Sequence, residues 1–303
     1  MLNRQNRAPL FQALCRHAAQ RPASFHTPGH SFRGLPEEIL ALGGELFHLD
    51  LSEVPGLDDL HNPRGPIAEA QGLAAGLYGA DHSFFLVNGT TVGLQGLLTA
   101  LAGGREVIVP RNAHRSVLAG LIISGADPVY ILPEIIPEFG LDCGASPLRL
   151  RSLLASHPGT AAVLAVSPSY YGVAGDLAGQ ALAAHEADKP LLVDEAHGAH
   201  LRFHRQLPRD AMAAGADASV QSTHKLGGSL TQTSLLHLRG RRVDAVKVAA
   251  ALSLLQTTSP SYILLSSLDL ARRQLALKGE ELLDRTVELA QMVRLRLSQV
   301  RGL

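Results

Sequence analysis

Residues 161–197 read AAVLAVSPSYYGVAGDLAGQALAAHEADKPLLVDEAH. Two short apolar runs, AAVLAVSP and PLLVDEAH, flank LAGQALAAHEAD, which is rich in Ala and Leu and has helical character. Neither run alternates with polar residues, so each reads as a strand covered on both faces. Two such strands joined through a helix are parallel neighbours in a layered sheet. The pattern extends outward in both directions. FFLVNG, EVIVP, DPVYILP, ASVQSTH and TSLLHLRG are further strands, and TVGLQGLLTALA, SVLAGLIISG and SPLRLRSLLASH are the intervening helices. Gly103-Gly104, Gly125 and Pro158-Gly159 mark helix ends. The expected fold is α/β, a mostly parallel seven-stranded sheet with helices on both faces.

Outside this block the pattern changes. Residues 1–60 are rich in Pro, Gly and His around FHTPGH and SEVPGLDDLHNPRGP, which suggests an N-terminal arm rather than a layer. Residues 61–282 form the expected large domain. After Thr257 a helical pattern runs nearly to Leu303, and 283–303 read as the start of a C-terminal region that breaks off. The 27 basic and 27 acidic residues balance, which argues against a nucleic-acid stripe and favours small-molecule chemistry. Cys15 and Cys143 show no CxxC spacing, and no stretch has the length and apolarity of a signal core or membrane span. A cytoplasmic setting follows.

Ligands in open parallel sheets bind beyond the carboxyl ends of strands, and reactive side chains stand there in this sequence. Gly89-Thr90-Thr91 follows FFLVNG and opens a helix, either as a phosphate cradle or as an ordinary N-terminus. PLLVDEAH ends in Asp194-Glu195-Ala196-His197, with the acid Asp194 directly after its apolar residues. A carboxylate buried there needs a cation or hydrogen bonds, and Lys225, about one crossover later, is a candidate. The pair is either a plain ion pair or two groups facing different parts of one cofactor. In the second case the acid holds a pyridine nitrogen protonated and the amine forms a Schiff base with an aldehyde. His197, His200 and His204 match no HExxH spacing, so no metal is expected. His114, past EVIVP, is a solvated loop residue or a ring stacked on a flat ligand. Tyr170-Tyr171-Gly172 is an aromatic wall or a turn.

In sequence order, FHTPGH, LDLSEVPGLDDLHNP, FFLVNGTTVG, VPRNAHRSV, SPSYYGVAGDL, LLVDEAHGAH, QSTHKLGGSLTQ and LLQTTSPSYILLSSLD resemble the major domain of the Orn/Lys/Arg decarboxylases. These are pyridoxal 5'-phosphate enzymes with the aspartate aminotransferase fold. The resemblance implies decarboxylation of arginine, lysine or ornithine. Lys225 would form the Schiff base, Asp194 would pair with the pyridine nitrogen and His114 would stack on the ring. Gly89, Thr90, Thr91, Ser222 and His224 would surround the phosphate, and His197 would lie near the ring hydroxyl or the substrate. It further implies a homodimer or higher oligomer with shared sites, to which Ser259-Pro260-Ser261-Tyr262 would contribute.

Two departures stand out. Ser31 occupies the place where the family commonly has lysine after TPGH, and the family continues beyond the point matching Leu303 into a small domain that helps close the site. Rival readings are another reaction on the same cofactor, such as transamination or β-elimination, and a relative that binds the cofactor without turnover. The absence of GxGxxG after any strand speaks against a nicotinamide dehydrogenase.

Overall fold

The computed structural model describes residues 2–32 and 35–302. Leu303, at which the expected C-terminal region ends, lies outside them, as do Arg33 and Gly34 of the expected arm. Helices α1 (Leu2–Gln5), α2 (Pro9–Gln20), α3 (Glu37–Gly43) and α4 (Pro66–Tyr78) come first. Strand β1 (His82–Leu86), helix α5 (Gly89–Leu101), β2 (Glu106–Pro110), α6 (Arg115–Ser124) and β3 (Asp127–Ile131) follow. A small hairpin of β4 (Ile135–Ile136) and β5 (Leu141–Asp142) leads to α7 (Pro147–Ser156), β6 (Ala162–Val166), α8 (Leu177–Glu186) and β7 (Leu191–Asp194). The chain continues through α9 (Ala211–Ala214), β8 (Ala218–Gln221), the single turn α10 (Thr223–Leu226), β9 (Ser234–Leu238), α11 (Ala245–Leu255) and α12 (Tyr262–Leu297).

The main sheet has seven strands in the order β1-β9-β8-β7-β6-β2-β3. Only β9 runs against its neighbours, pairing antiparallel with both β8 and β1, while β8, β7, β6, β2 and β3 are parallel. Two reversals cancel, so β1 points the same way as β8. Its carboxyl end, and the start of α5 after it, therefore lie on the same sheet edge as Asp194. Burial on both faces explains the unbroken apolar runs. Val107, Val109, Ala162, Leu164 and Leu192 enter one core layer with α5, α6 and α11. Ile108, Val163, Ala165, Leu191 and Val193 enter the opposite layer with α7, α8 and α9. Helix α5 lies close to the sheet because Gly93 has no side chain. A Cβ there would be 2.5 Å from Val220 Cγ1 and 2.8 Å from Leu86 Cδ1.

The first 60 residues differ from the expected arm. In α2, Pro9, Leu10, Ala13 and Leu14 are buried at helical spacing, and Leu10, Ala13 and Leu14 join a third cluster with Ile67, Tyr78, Tyr262 and Leu268. Leu51, Leu57 and Leu60 of the Pro/Gly-rich stretch join the same cluster. The apolar positions of this segment are interrupted by turn signals, and their packing against α4 and α12 joins parts of the chain distant in sequence. Arg272 and Asp269 of α12 form a fully buried ion pair at 2.9 Å. Arg272 also donates to the Gln5 carbonyl at 2.9 Å, and Asp269 accepts from the Leu10 amide at 3.0 Å. No helix among the described residues is long and apolar enough to cross a membrane.

Candidate active site

Every residue singled out for the site, namely Gly89, Thr90, Thr91, His114, Asp194, His197, Ser222, His224 and Lys225, lines one cavity of about 480 Å³. It lies at the carboxyl edge of the sheet. The convergence follows from topology, since β1, β2, β7 and β8 all end there.

The first wall is the N-terminus of α5. Gly89 opens it at φ +73°, a left-handed conformation in which a larger residue would be strained, and its amide donates to the Gln232 carbonyl at 2.8 Å. Among the described residues no side chain caps this helix, which leaves the first-turn amides and the positive helix end at the cavity. Thr90 Oγ1 shares a short hydrogen bond with Ser222 Oγ and lies 3.2 Å from Ser234 Oγ. Amides, hydroxyls and a positive helix end together suit a phosphate. His224 Nδ1 donates to the Thr233 carbonyl at 2.7 Å, which leaves Nε2 bare in the neutral ring.

The floor is Asp194, almost fully buried at the tip of β7. Burial raises its pKa above the ordinary carboxylate range. The Ala196 amide, donating at 3.2 Å, and then the charges of His114 and Lys225 oppose that shift. Among the described residues no ion pair joins Asp194 to Lys225, so the plain buried pair is not what the chain forms. A buried acid held toward a cavity without an ion-pair partner suits a cationic ring nitrogen. The expected strand ASVQSTH is shorter than its run: β8 stops at Gln221, and Lys225 sits on α10, exposed at the cavity.

Lys225 Nζ lies 3.2 Å from His197 Nε2 and donates to it, which marks that ring as the neutral acceptor. Burial first, then Lys225 and His114, lower the His197 pKa. His114 caps α6, its Nδ1 accepting from the Ser116 amide at 3.2 Å and facing Ser116 Oγ at 2.8 Å. It thus has a capping role at the Nδ1 edge while lining the cavity. His204 is drawn away to Asp284 at 2.9 Å and is separate from His197.

Tyr170 and Tyr171 line the rim, 80% and 64% exposed, with Tyr170 5.8 Å from His197 ring to ring. They form a turn, closed by the Gly172 amide on the Ser169 carbonyl at 2.9 Å, with both rings exposed at the cavity rather than half-buried. Asn112, Ser116, Ser169 and Asp142 also line the cavity and were not singled out. Asn112 in the strand-end loop and Ser116 in the first turn of α6 flank His114, so proximity in sequence was an available signal. Asp142 had none, lying in a stretch that reads as loop. In the expected intersubunit block, Tyr262 is fully buried with its hydroxyl on the Asp58 carbonyl, and Ser261 caps α12. Tyr262 therefore serves the core, and Ser259 is left exposed.

Residues 8–302 match the family profile described as Orn/Lys/Arg decarboxylase, major domain. The chain is 45% identical over 303 residues to an arginine decarboxylase of Bacillus subtilis (strain 168), covering 99% of this chain and 62% of that protein. It is 30% identical to a lysine decarboxylase of Pseudomonas aeruginosa over 97% of this chain and 43% of that one. Among solved structures, lysine decarboxylase A from Pseudomonas aeruginosa superposes with a TM-score of 0.86 at 29% identity, over 97% of this chain and 43% of that chain. Serine palmitoyltransferase from Sphingomonas wittichii, at TM-score 0.60 and 18% identity, shares the fold. The chain thus spans about three fifths of the length of the arginine decarboxylase, and nearly all of its described length lies within the matched region. With the profile match, the sheet order and the strand-end residues in agreement, the chain belongs to the Orn/Lys/Arg decarboxylase family, in the part described as the major domain.

Proposed function

We propose that this chain is the major domain of a pyridoxal 5'-phosphate-dependent decarboxylase of a basic amino acid. One observation carries the reading. Asp194, Lys225 and the uncapped start of α5 meet at a single cavity, yet Asp194 and Lys225 do not pair with each other. Bound there, the cofactor would supply an electron sink for the electron pair left at the substrate α-carbon when carbon dioxide departs.

The chain's own residues have defined tasks. Thr90, Thr91, Ser222 and the α5 amides hold the phosphate, and Gly89 lets the backbone approach it. Asp194 keeps a proton on the ring nitrogen, a preorganised charge that needs no rearrangement during the reaction. Lys225 is the nucleophile toward the aldehyde. His114 covers the ring, and His197, held neutral beside Lys225, accepts or returns a proton at its Nε2. Residues 61–282 are the cofactor-binding unit of a cytoplasmic homodimer or larger assembly that shares its sites. The arginine decarboxylase name carried by relatives 43–45% identical favours arginine over lysine as substrate.

The purified protein, reconstituted with the cofactor, should show a visible absorbance band that borohydride traps on Lys225. It should also release carbon dioxide from arginine, lysine or ornithine. Lys225→Ala should abolish trapping. Failure to take up cofactor refutes the reading. Conversion of the cofactor to its amine form without gas would replace decarboxylation by transamination, which uses the same Asp194 and Lys225.

A further inference from the structure

A basic amino acid carries a second cation at the far end of its side chain, and among the described residues the cavity offers few groups that could receive it. Its lining contains two carboxylates, Asp194 and Asp142. Asp194 is buried at the tip of β7 and accepts the Ala196 amide. Asp142 is half-buried and, among the described residues, makes neither an ion pair nor a side-chain hydrogen bond.

Asp142 is held in place rather than loose. It ends β5 and pairs across the hairpin with Ile135. The hairpin is closed by the Cys143 amide on the Glu134 carbonyl at 2.9 Å and by the Glu134 amide on the Gly144 carbonyl at 2.8 Å. Directly behind it, Gly144 and Gly175 touch. A Cβ on Gly175 would be 2.7 Å from the Cys143 carbonyl oxygen, and one on Gly144 would be 3.3 Å from Gly175 Cα. The Gln180 side chain donates to the Ala145 carbonyl at 2.9 Å and ties the hairpin to α8. These contacts join it to the loop that carries Tyr170 and Tyr171, whose rings meet edge to face at 5.4 Å on the same rim. A carboxylate on a held backbone, lining the same cavity as two tyrosine rings, suits a guanidinium or ammonium group: the acid takes its N–H donors and the ring faces attract its charge.

We infer that Asp142, with Tyr170 and Tyr171 on the rim of the same cavity, binds the distal cation of the basic amino acid and so sets the preference for a basic over a neutral side chain. The inference rests on the decarboxylase reading for its substrate class. Its test reads binding as well as turnover, so that the two can fail separately.

L-arginine and L-norleucine share their α-groups and differ in the distal charge. Calorimetric titration of the cofactor-loaded protein should show arginine binding more tightly than norleucine. Asp142→Asn should weaken arginine binding by about tenfold or more and leave norleucine binding as it was, with Asp142→Glu restoring part of the loss. In turnover the loss should fall on KM for arginine much more than on kcat. Equal weakening of both ligands would show general damage, and unchanged arginine binding would show a surface acid. Either result overturns the inference, as would wild-type protein that does not prefer arginine. If arginine binds through Asp142 but no carbon dioxide is released, decarboxylation fails while the assignment of Asp142 stands.

Discussion

The buried carboxyl next to Asp194 gives the most exacting prediction. Glu195 is fully buried, and one of its oxygens accepts the Ala211 amide at 2.8 Å while the other accepts Gln221 Nε2 at 2.9 Å. Burial pushes its pKa from 4.5 up to about 8; the two hydrogen bonds oppose this, and nearby Asp210 adds to it. Between those two pH values the folded chain holds a proton that the unfolded chain has released, so stability falls as pH rises. The fall is about 1.4 kcal/mol per pH unit, roughly 5 kcal/mol in all, with the stability fully present below about 4.5 and lost through about 8. Glu195→Gln removes the titration and keeps the shape. Its amide oxygen can accept from Ala211, and its amide nitrogen can donate to Gln221 once that side chain turns over. The turned Gln221 nitrogen then donates to His237 Nε2, now 3.3 Å from the Gln221 oxygen, and His237 Nδ1 donates to Ser83 Oγ at 2.7 Å. Urea unfolding across the range should show the variant gaining about 3 kcal/mol on the wild type between pH 5.5 and 7.5 at constant denaturant dependence. A difference that stays flat with pH would refute a protonated buried Glu195.

Other expectations come from packing. Arg272→Ala leaves Asp269 as an uncompensated buried charge and unties Gln5 from α12. It should cost about 3–5 kcal/mol in chemical unfolding, with protease sensitivity rising first before residue 20. Gly93→Ala inserts a methyl against Val220 and Leu86, both fully buried, and should destabilise by about 1–3 kcal/mol. Gly72→Ala on α4, exposed and with nothing within 4 Å of the new carbon, should instead stabilise by up to about 1 kcal/mol. Opposite shifts in thermal midpoint would check both.

What the sequence by itself determined was the layered sheet and the residues at its strand ends. Apolar runs such as PLLVDEAH can be satisfied only with cover on both faces, and a charged residue at the tip of such a run is costly enough to stand out. Asp194 was legible for that reason, Lys225 as the cation such an acid calls for, and Gly89-Thr90-Thr91 as a helix start directly after a strand. Tertiary structure decided what depends on distant partners. Helix α2 carries its apolar residues at helical spacing, but that they pack against α4 and α12 depends on segments distant in sequence, and Tyr262, read as part of a block reaching a neighbouring subunit, turns into the core. The reversal of β9, which returns the start of α5 to the edge that holds Asp194, leaves no mark in local periodicity. Asp142 lies on a two-residue strand in what reads as loop, and the contact between Gly144 and Gly175 that sets it on the rim joins segments no local pattern connects.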